Sequence, residues 1–343
     1  MPTKVAIVGV TGYAGGELAR LLLRHPEARF VAAVARSHQG EPLRDVQPHL
    51  HGAPDSLVVG SDVGDAEIVF TALPAGEAAK QARAWLDDGR TVIDIGSDFR
   101  LRDPKLYDRW YGYTHPAPDL LNEAVYGLTE LTRARVRTAR LIANPGCYPT
   151  AATLALLPAA EAGWIEEPVM VTALSGISGA GRSPALKTSY VELEGNASIY
   201  RAGTEHQHVV EMERNLERLA GSPVSVGFAP QLAPMSRGIL LTANARLSSP
   251  VTPEAMRAAY LARYGGEPFV RVLDPGVWPE TRAVKASNRC DVAVTTLHGG
   301  RTLLATAALD NLVKGAAGQA IQNLNLMLGW PESWGLPVHG SPW

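Results

Sequence analysis

The sequence predicts an α/β chain in two parts: a doubly wound parallel sheet, then an α+β domain with a largely antiparallel sheet. Three observations carry this. At 343 residues the chain exceeds what a single core usually holds. Short apolar strands alternate with helix-period segments up to about residue 145, and from about residue 165 the strands lengthen while the helices between them thin out.

The first segment, "KVAIVGVTGYAGGELARLLLRHP", gives a β-branched apolar run, a glycine turn, then Leu18, Leu21 and Leu22 at helical spacing. "FVAAVA", "AEIVFTALP" and "TVIDIG" read as further buried strands, with "AAKQARAWLDDG" as a polar-faced helix among them. This alternation predicts a Rossmann-like domain over residues 1–145. The longer strands in "PVMVTALSG", "VSVGFAPQL", "GILLTANARL" and "CDVAVTTLHGGRTLLATAAL" predict the α+β domain over residues 146–311. The end, "NLVKGAAGQAIQNLNLMLGW", reads as an amphipathic helix. Chain termini tend to lie close together, so residues 312–343 are expected to complete the first domain.

Composition narrows the function. With 46% hydrophobic residues, 19% charged residues and a net charge of -2, nothing suggests a nucleic-acid surface or an acidic tail. Small molecules are the expected partners. The apolar run in "MPTKVAIVGV" is too short for a signal peptide, and no stretch approaches the ~18–20 apolar residues of a membrane span. A cytoplasmic protein without membrane partners is expected. The two cysteines, Cys147 and Cys290, exclude a disulfide scaffold and leave packing, metal ligation or nucleophilic chemistry.

The turn "GVTGYAG" spaces Gly9, Gly12 and Gly15 three apart, with Thr11, Tyr13 and Ala14 between them. It follows a buried strand and opens a helix, so its main-chain amides and the positive helix end suit a pyrophosphate. After the second strand, where an NAD-binding chain usually carries a carboxylate for the ribose 2′-OH, this one has Arg36 and Ser37. A guanidinium and a hydroxyl suit a 2′-phosphate, which favours NADP(H) over NAD(H). Pro74, closing "AEIVFTALP", joins the cofactor candidates.

Chemistry centres on "LIANPGCYPT". "RLIA" reads as a strand and "NPGC" as its outgoing turn, while Pro149 suits the first turn of a helix. Cys147 then stands at a helix start, where the partial positive charge favours thiolate over thiol and equips it to attack a carbonyl carbon. A buried structural cysteine is the alternative, and Cys290 in "NRCDVAVTT" reads as that. Candidate bases are His206 and His208 of "GTEHQHVVEMERNL", with Glu211 following. A zinc site using His-x-His would need further ligands, and no second motif of ligand spacing accompanies it, so no metal is expected. "LSGISGAGR" brings Ser175, Ser178 and three glycines after a strand, a backbone able to approach a ligand closely. In "IGSDFR", Ser97 and Arg100 suit a phosphate; plain structural turns are the alternative for both stretches.

Together, "GVTGYAGGEL", "DIGSDFRLRD", "NPGCYPTA", "SGISGAGR", "YRAGTEHQHVVE", "APMSRGIL" and "ALDNLVKGAAGQAIQNLNLMLGWPE" resemble the N-acetyl-gamma-glutamyl-phosphate reductases of the semialdehyde dehydrogenase superfamily, over the chain to about residue 336. The resemblance implies NADPH-dependent reduction of N-acetyl-L-glutamyl 5-phosphate to N-acetyl-L-glutamate 5-semialdehyde and phosphate, in arginine biosynthesis, through a Cys147 thioester. It implies His206 as the general acid/base with Glu211 orienting it, and Gly179, Ala180 and Asn311 on the nicotinamide side. Arg100 is expected at the leaving phosphate, Arg237 at the substrate carboxylate, and Asn144, Ser97, Ser175 and His208 among the substrate-binding residues. A homodimer or homotetramer built through the second domain is implied as well. Aspartate-semialdehyde dehydrogenases and a lysine-pathway aminoadipyl-phosphate reductase are similar, but the latter carries Asn after the cysteine where this chain has Tyr148. A catalytically inactive NADP-binding sensor or scaffold is the alternative of a different class.

Overall fold

The computed structural model describes residues 2–341. It divides into two compact units, one formed by residues up to 146 with Ala316–Leu336, the other by Cys147–Gly315 with the residues from 337 on. Met1, Pro342 and Trp343, which fall within the domain limits expected from sequence, lie outside the described residues.

The first unit holds seven strands: β1 Thr3–Val8, β2 Ala28–Val34, β3 Val59–Gly60, β4 Ile68–Thr71, β5 Thr91–Asp94, β6 Val125–Tyr126 and β7 Leu141–Ala143. They form one sheet in the order β3-β2-β1-β4-β5-β7-β6, with every neighbouring pair parallel. Strands so placed are covered on both faces, and accordingly β4 is buried at all four positions and β7 at all three. The strand order reverses between β1 and β4, which opens the crevice where such sheets take ligands, at the C-terminal strand ends.

The closing helix Gly318–Met327 packs on the helices Thr129–Val136 and Tyr13–Leu22 of the same unit. It is not amphipathic as the sequence predicted: Gly318 through Leu326 are all buried. Its polar side chains point inward because each finds a partner. Gln319 donates to the Gly127 carbonyl at 2.9 Å and to Thr129 Oγ1 at 2.8 Å, Asn323 donates to the Gly127 carbonyl at 2.7 Å, and Asn325 Oδ1 lies 2.8 Å from His25 Nε2. Burying such groups is tolerable only when they are hydrogen-bonded.

The second unit contributes β8 Ile165–Ser175, β9 Ser198–Ile199, β10 Val226–Leu232, β11 Ile239–Leu247, β12 Val270–Val272, β13 Cys290–Leu297 and β14 Thr302–Leu309. Their order is β12-β13-β14-β11-β8-β10-β9, antiparallel apart from the parallel pairs β12/β13 and β8/β10. β11 alternates buried positions with half-buried or exposed ones along its length, the pattern of a sheet with one face on the core. Against that core lies the helix Cys147–Glu161, whose residues Tyr148 to Ala160 are all buried. Pro158 sits inside this helix and has no N–H for the Leu154 carbonyl. The hydroxyl of Tyr264 donates to that carbonyl at 2.6 Å, and Tyr260 donates to the next one, of Ala155, at 2.5 Å. The helix therefore continues through its proline with the freed carbonyl satisfied. No helix among the described residues is long and apolar enough to cross a membrane.

Candidate active site

In the first unit the Gly9–Gly15 turn leaves β1 and enters the helix Tyr13–Leu22. Two of its glycines are demanded by the fold. Gly9 has φ +97°, and a Cβ there would stand 2.3 Å from the Ala72 carbonyl oxygen; a Cβ on Gly15 would stand 2.2 Å from that of Gly9. Gly12 is different: its φ of -79° suits any residue, and the nearest atom to an added Cβ is 3.6 Å away. No side chain caps the helix start, so its first amides, from Tyr13 onward, face outward without an intrahelical partner. A bare helix N-terminus with an unforced glycine over it is the shape a pyrophosphate needs, and on that observation the turn fits a dinucleotide. Gln47, not foreseen from sequence, braces the turn by donating to the Val10 carbonyl at 2.9 Å and the Gly12 carbonyl at 3.3 Å.

Arg36 and Ser37 follow β2 and are exposed, and Pro74 is exposed on the loop after β4. The Arg36 guanidinium is paired with Glu77, which also accepts from Lys80 at 2.5 Å. At the end of β5, Ser97 is half-buried, and Arg100 donates from Nε to the Asn144 carbonyl at 2.8 Å and from Nη2 to the Ile95 carbonyl at 2.9 Å. Arg100 thus ties strand ends together. Asn144, expected to face substrate, is fully buried: its Nδ2 donates to the Ala316 carbonyl at 3.0 Å and its Oδ1 accepts from Asn323 at 3.2 Å. Beneath these loops Asp94 and Asp98 are buried together. Burial, then the Asp98 charge, raises the Asp94 carboxyl to about 7, while Thr71 donates to it at 2.6 Å.

In the second unit Cys147 is the first residue of its helix and half-buried, whereas Cys290 is fully buried in β13. Gly315 packs on Cys147 so closely that a Cβ there would lie 2.8 Å from the cysteine's own. Tyr148, next in the chain, sets its ring edge-to-face on His206, with centroids 5.8 Å apart, and its hydroxyl lies 2.9 Å from that of Tyr200. Tyr200, Phe228 and His208 complete an aromatic cage around His206, at 5.7, 5.4 and 4.7 Å between centroids. Burial pushes both phenols up, Tyr200 to about 12, so they remain hydroxyls. The cage is not legible in the sequence, although Tyr148 and Tyr200 lie in the motifs "NPGCYPTA" and "YRAGTEHQHVVE".

His206 immediately precedes the helix His208–Ala220, and its Nδ1 accepts the His208 main-chain N–H at 3.1 Å. Two influences act on its ionisation. Burial in the cage is the larger, the Arg201 charge the smaller, and together they lower it to about 4. At neutral pH the ring is uncharged, and because Nδ1 accepts, its proton resides on Nε2. The contact at Nδ1 is a main-chain amide, and Glu211, the residue the resemblance implies as orienting His206, is buried one turn into the same helix. Arg201 went unmarked in the sequence. Its φ of +44° is uncommon for a residue with a side chain, and its Nη1 donates to Gln207 at 2.8 Å.

Ser175 ends β8 and is buried, and the segment Ile177–Ala180 forms one short turn beside it. Asn311 donates to Ser178 Oγ at 3.0 Å and accepts from the Gly238 amide at 2.8 Å. A Cβ on Gly179 would lie 3.7 Å from both Asn311 and Ser175, so Gly179 and Asn311, expected on the cofactor side, and Ser175, expected on the substrate side, lie together. Ala180 beside them is exposed. Arg237 lies 3.8 Å from the fully buried carboxylate of Asp310, a partner the sequence did not suggest. Among the described residues, no three His, Cys, Asp or Glu side chains gather as a metal ion would need.

Comparison with known proteins agrees along the whole chain. Residues 4–139 match the family "Semialdehyde dehydrogenase, NAD binding domain" and residues 147–311 match "Semialdehyde dehydrogenase, dimerisation domain". The N-acetyl-gamma-glutamyl-phosphate reductase of Symbiobacterium thermophilum is 47% identical over 342 residues, covering 98% of each chain. That of Acidothermus cellulolyticus is 46% identical over 346 residues and 99% of each chain. Among solved structures, aspartate semialdehyde dehydrogenase II of Vibrio cholerae, complexed with ASA, gives a TM-score of 0.73 at 18% identity over 96% of this chain and 99% of that one. The Candida albicans aspartate semialdehyde dehydrogenase with NADP gives 0.66 at 16% identity, over 96% of this chain and 99% of that one, and these two likenesses speak for the fold alone. The chain belongs to the N-acetyl-gamma-glutamyl-phosphate reductase family of semialdehyde dehydrogenases.

Proposed function

We propose that the protein reduces N-acetyl-L-glutamyl 5-phosphate to N-acetyl-L-glutamate 5-semialdehyde and phosphate, with NADPH, in arginine biosynthesis. The observation that carries the mechanism is a half-buried cysteine at a helix start, followed in the chain by Tyr148, whose ring lies against a caged and uncharged His206 that offers Nε2–H.

The Cys147 thiolate, favoured by the helix N-terminus, attacks the acyl carbon; the carbon–oxygen bond to phosphate breaks and a thioester remains on sulfur. The Gly9–Gly15 turn would hold the pyrophosphate of a dinucleotide, whose nicotinamide would supply the hydride. Once hydride has added to the thioester carbon, the oxyanion accepts a hydrogen bond from His206 Nε2–H. Collapse of that oxyanion expels the thiolate and frees the aldehyde. His206 acts here as a neutral donor, with Nδ1 already occupied by the His208 amide. Ser178, Gly179 and Asn311 shape the nicotinamide side of the second unit. Arg237 is assigned to the substrate carboxylate, and Arg201, whose charge reaches His206, is added as a second cation for it. NADPH is preferred on account of Arg36, with Lys80 on the same carboxylate. A homodimer or homotetramer is proposed through residues 147–311, in keeping with the dimerisation family they match.

The test is the reverse reaction, with N-acetylglutamate semialdehyde, phosphate and NADP⁺, beside the aminoadipate analogue and aspartate semialdehyde. Phosphate-dependent NADPH formation with the first substrate only is expected. Turnover confined to either of the others reassigns the substrate, and none at all supports a cofactor-binding protein without activity.

A further inference from the structure

We propose that Glu77 is a built-in competitor for the dinucleotide's 2′-phosphate, holding Arg36 and Lys80 across the cofactor crevice until that phosphate displaces it. The inference rests on the NADPH reading above and names the residue that sets its strength.

The placement follows from the sheet. Arg36 lies two residues beyond the end of β2 and Glu77 on the loop after β4, and β1 runs between those strands. An ion pair from one loop to the other spans two strand spacings, about 10 Å, and so passes the end of β1, where the Gly9–Gly15 turn begins. That turn is tied to both sides, with Gly9 N–H donating to the Val34 carbonyl at 2.8 Å and Ala72 N–H donating to the Val8 carbonyl at 2.8 Å. Lys80, one turn further on, puts its Nζ 2.5 Å from the other oxygen of Glu77. One carboxylate thereby gathers two cations at the position where a 2′-phosphate would need them.

The Arg36 side chain is 87% exposed and Glu77 20%. No packing fixes the guanidinium, and its carboxylate partner is what orients it. A 2′-phosphate carries about twice the charge of Glu77 and presents three acceptor oxygens, so it outcompetes the carboxylate for both cations. A 2′-hydroxyl cannot. Glu77 thus charges a toll on the phosphorylated cofactor alone. Charges of -1 and -2 about 6 Å apart in water repel by the equivalent of roughly a factor of ten in affinity.

The experiment is calorimetric titration of NADPH, NADH and adenosine 2′,5′-bisphosphate into wild type, Glu77→Gln and Arg36→Ala at low salt. Glutamine keeps the size and removes the charge. Expected are an NADPH preference in wild type that Arg36→Ala reduces, about tenfold tighter NADPH and bisphosphate binding in Glu77→Gln, and NADH within twofold of wild type. The gain should shrink at high salt, since these charges are exposed. Unchanged NADPH affinity in Glu77→Gln, with the wild-type preference intact, overturns the competitor while leaving the cofactor reading in place. Weaker NADH binding in Glu77→Gln also overturns it and assigns Glu77 to the ribose hydroxyls. Absence of any NADPH preference in wild type overturns both.

Discussion

Gly12→Ala and Gly9→Ala, three residues apart, should fail in opposite ways. At Gly12 the backbone is ordinary, with φ -79° and ψ 170°, and a new Cβ has 3.6 Å of clearance. Alanine there should leave stability within about 0.5 kcal/mol or raise it slightly by restricting the unfolded chain. The same methyl intrudes where a pyrophosphate would approach the helix amides. Losing one charge-assisted hydrogen bond costs about 1.5–3 kcal/mol, or roughly 10- to 100-fold in affinity. At Gly9, φ +97° alone costs a side chain about 1–2 kcal/mol, and the added Cβ would stand 2.3 Å from the Ala72 carbonyl oxygen. Gly9→Ala should therefore unfold at lower temperature whether or not cofactor is present. Thermal unfolding and calorimetric titration of NADPH, on both variants, give the two readouts. Full cofactor affinity in Gly12→Ala would refute the placement of the pyrophosphate on this turn.

His206→Asn should lower kcat by about 10²–10⁴-fold with a smaller change in KM. Because burial and Arg201 lower His206 to about 4, the wild-type kcat profile should show no limb near pH 6.5 that this variant removes; such a limb would make the imidazolium, not the neutral ring, the working form. Tyr264→Phe leaves the Leu154 carbonyl without its donor in a helix that Pro158 has already interrupted, and should cost about 1–3 kcal/mol in a denaturation experiment. Asp94 is raised from 3.8 to about 7, so the folded chain holds more protons than the unfolded one between those values. Its contribution to stability should be lost as pH rises through about 7, by on the order of a few kcal/mol, and Asp94→Asn should flatten that slope.

What the sequence shows well is what local pattern encodes. Gly9 and Gly15 are forced by a strand–turn–helix junction, Cys147 by a strand ending in a proline-glycine turn, and both are visible within ten residues of chain. The misses come from long-range pairing. The closing helix has the spacing of an amphipathic one, yet Gln319 and Asn323 find Gly127 and Thr129 nearly two hundred residues earlier, and this reverses which side of them is wet. The local pattern singles out Arg36, but not Glu77, the carboxylate it pairs with forty-one residues on. Asn144 stands immediately after β7, at the strand end that opens on the crevice, while its side chain bonds Ala316 and Asn323. The tautomer of His206 was hidden for the opposite reason: it is set by a contact only two residues away, whose geometry depends on where the next helix begins.

The thioester on Cys147 can be trapped and located by peptide mass spectrometry. Wild type should be mixed with N-acetyl-L-glutamyl 5-phosphate in the absence of NADPH, acid-quenched and digested. Expected is an N-acetylglutamyl adduct on the peptide carrying Cys147, lost on adding NADPH with release of the semialdehyde, absent in Cys147→Ser and retained in Cys290→Ser. NADPH-dependent semialdehyde formation by Cys147→Ser at even a tenth of the wild-type rate would contradict it.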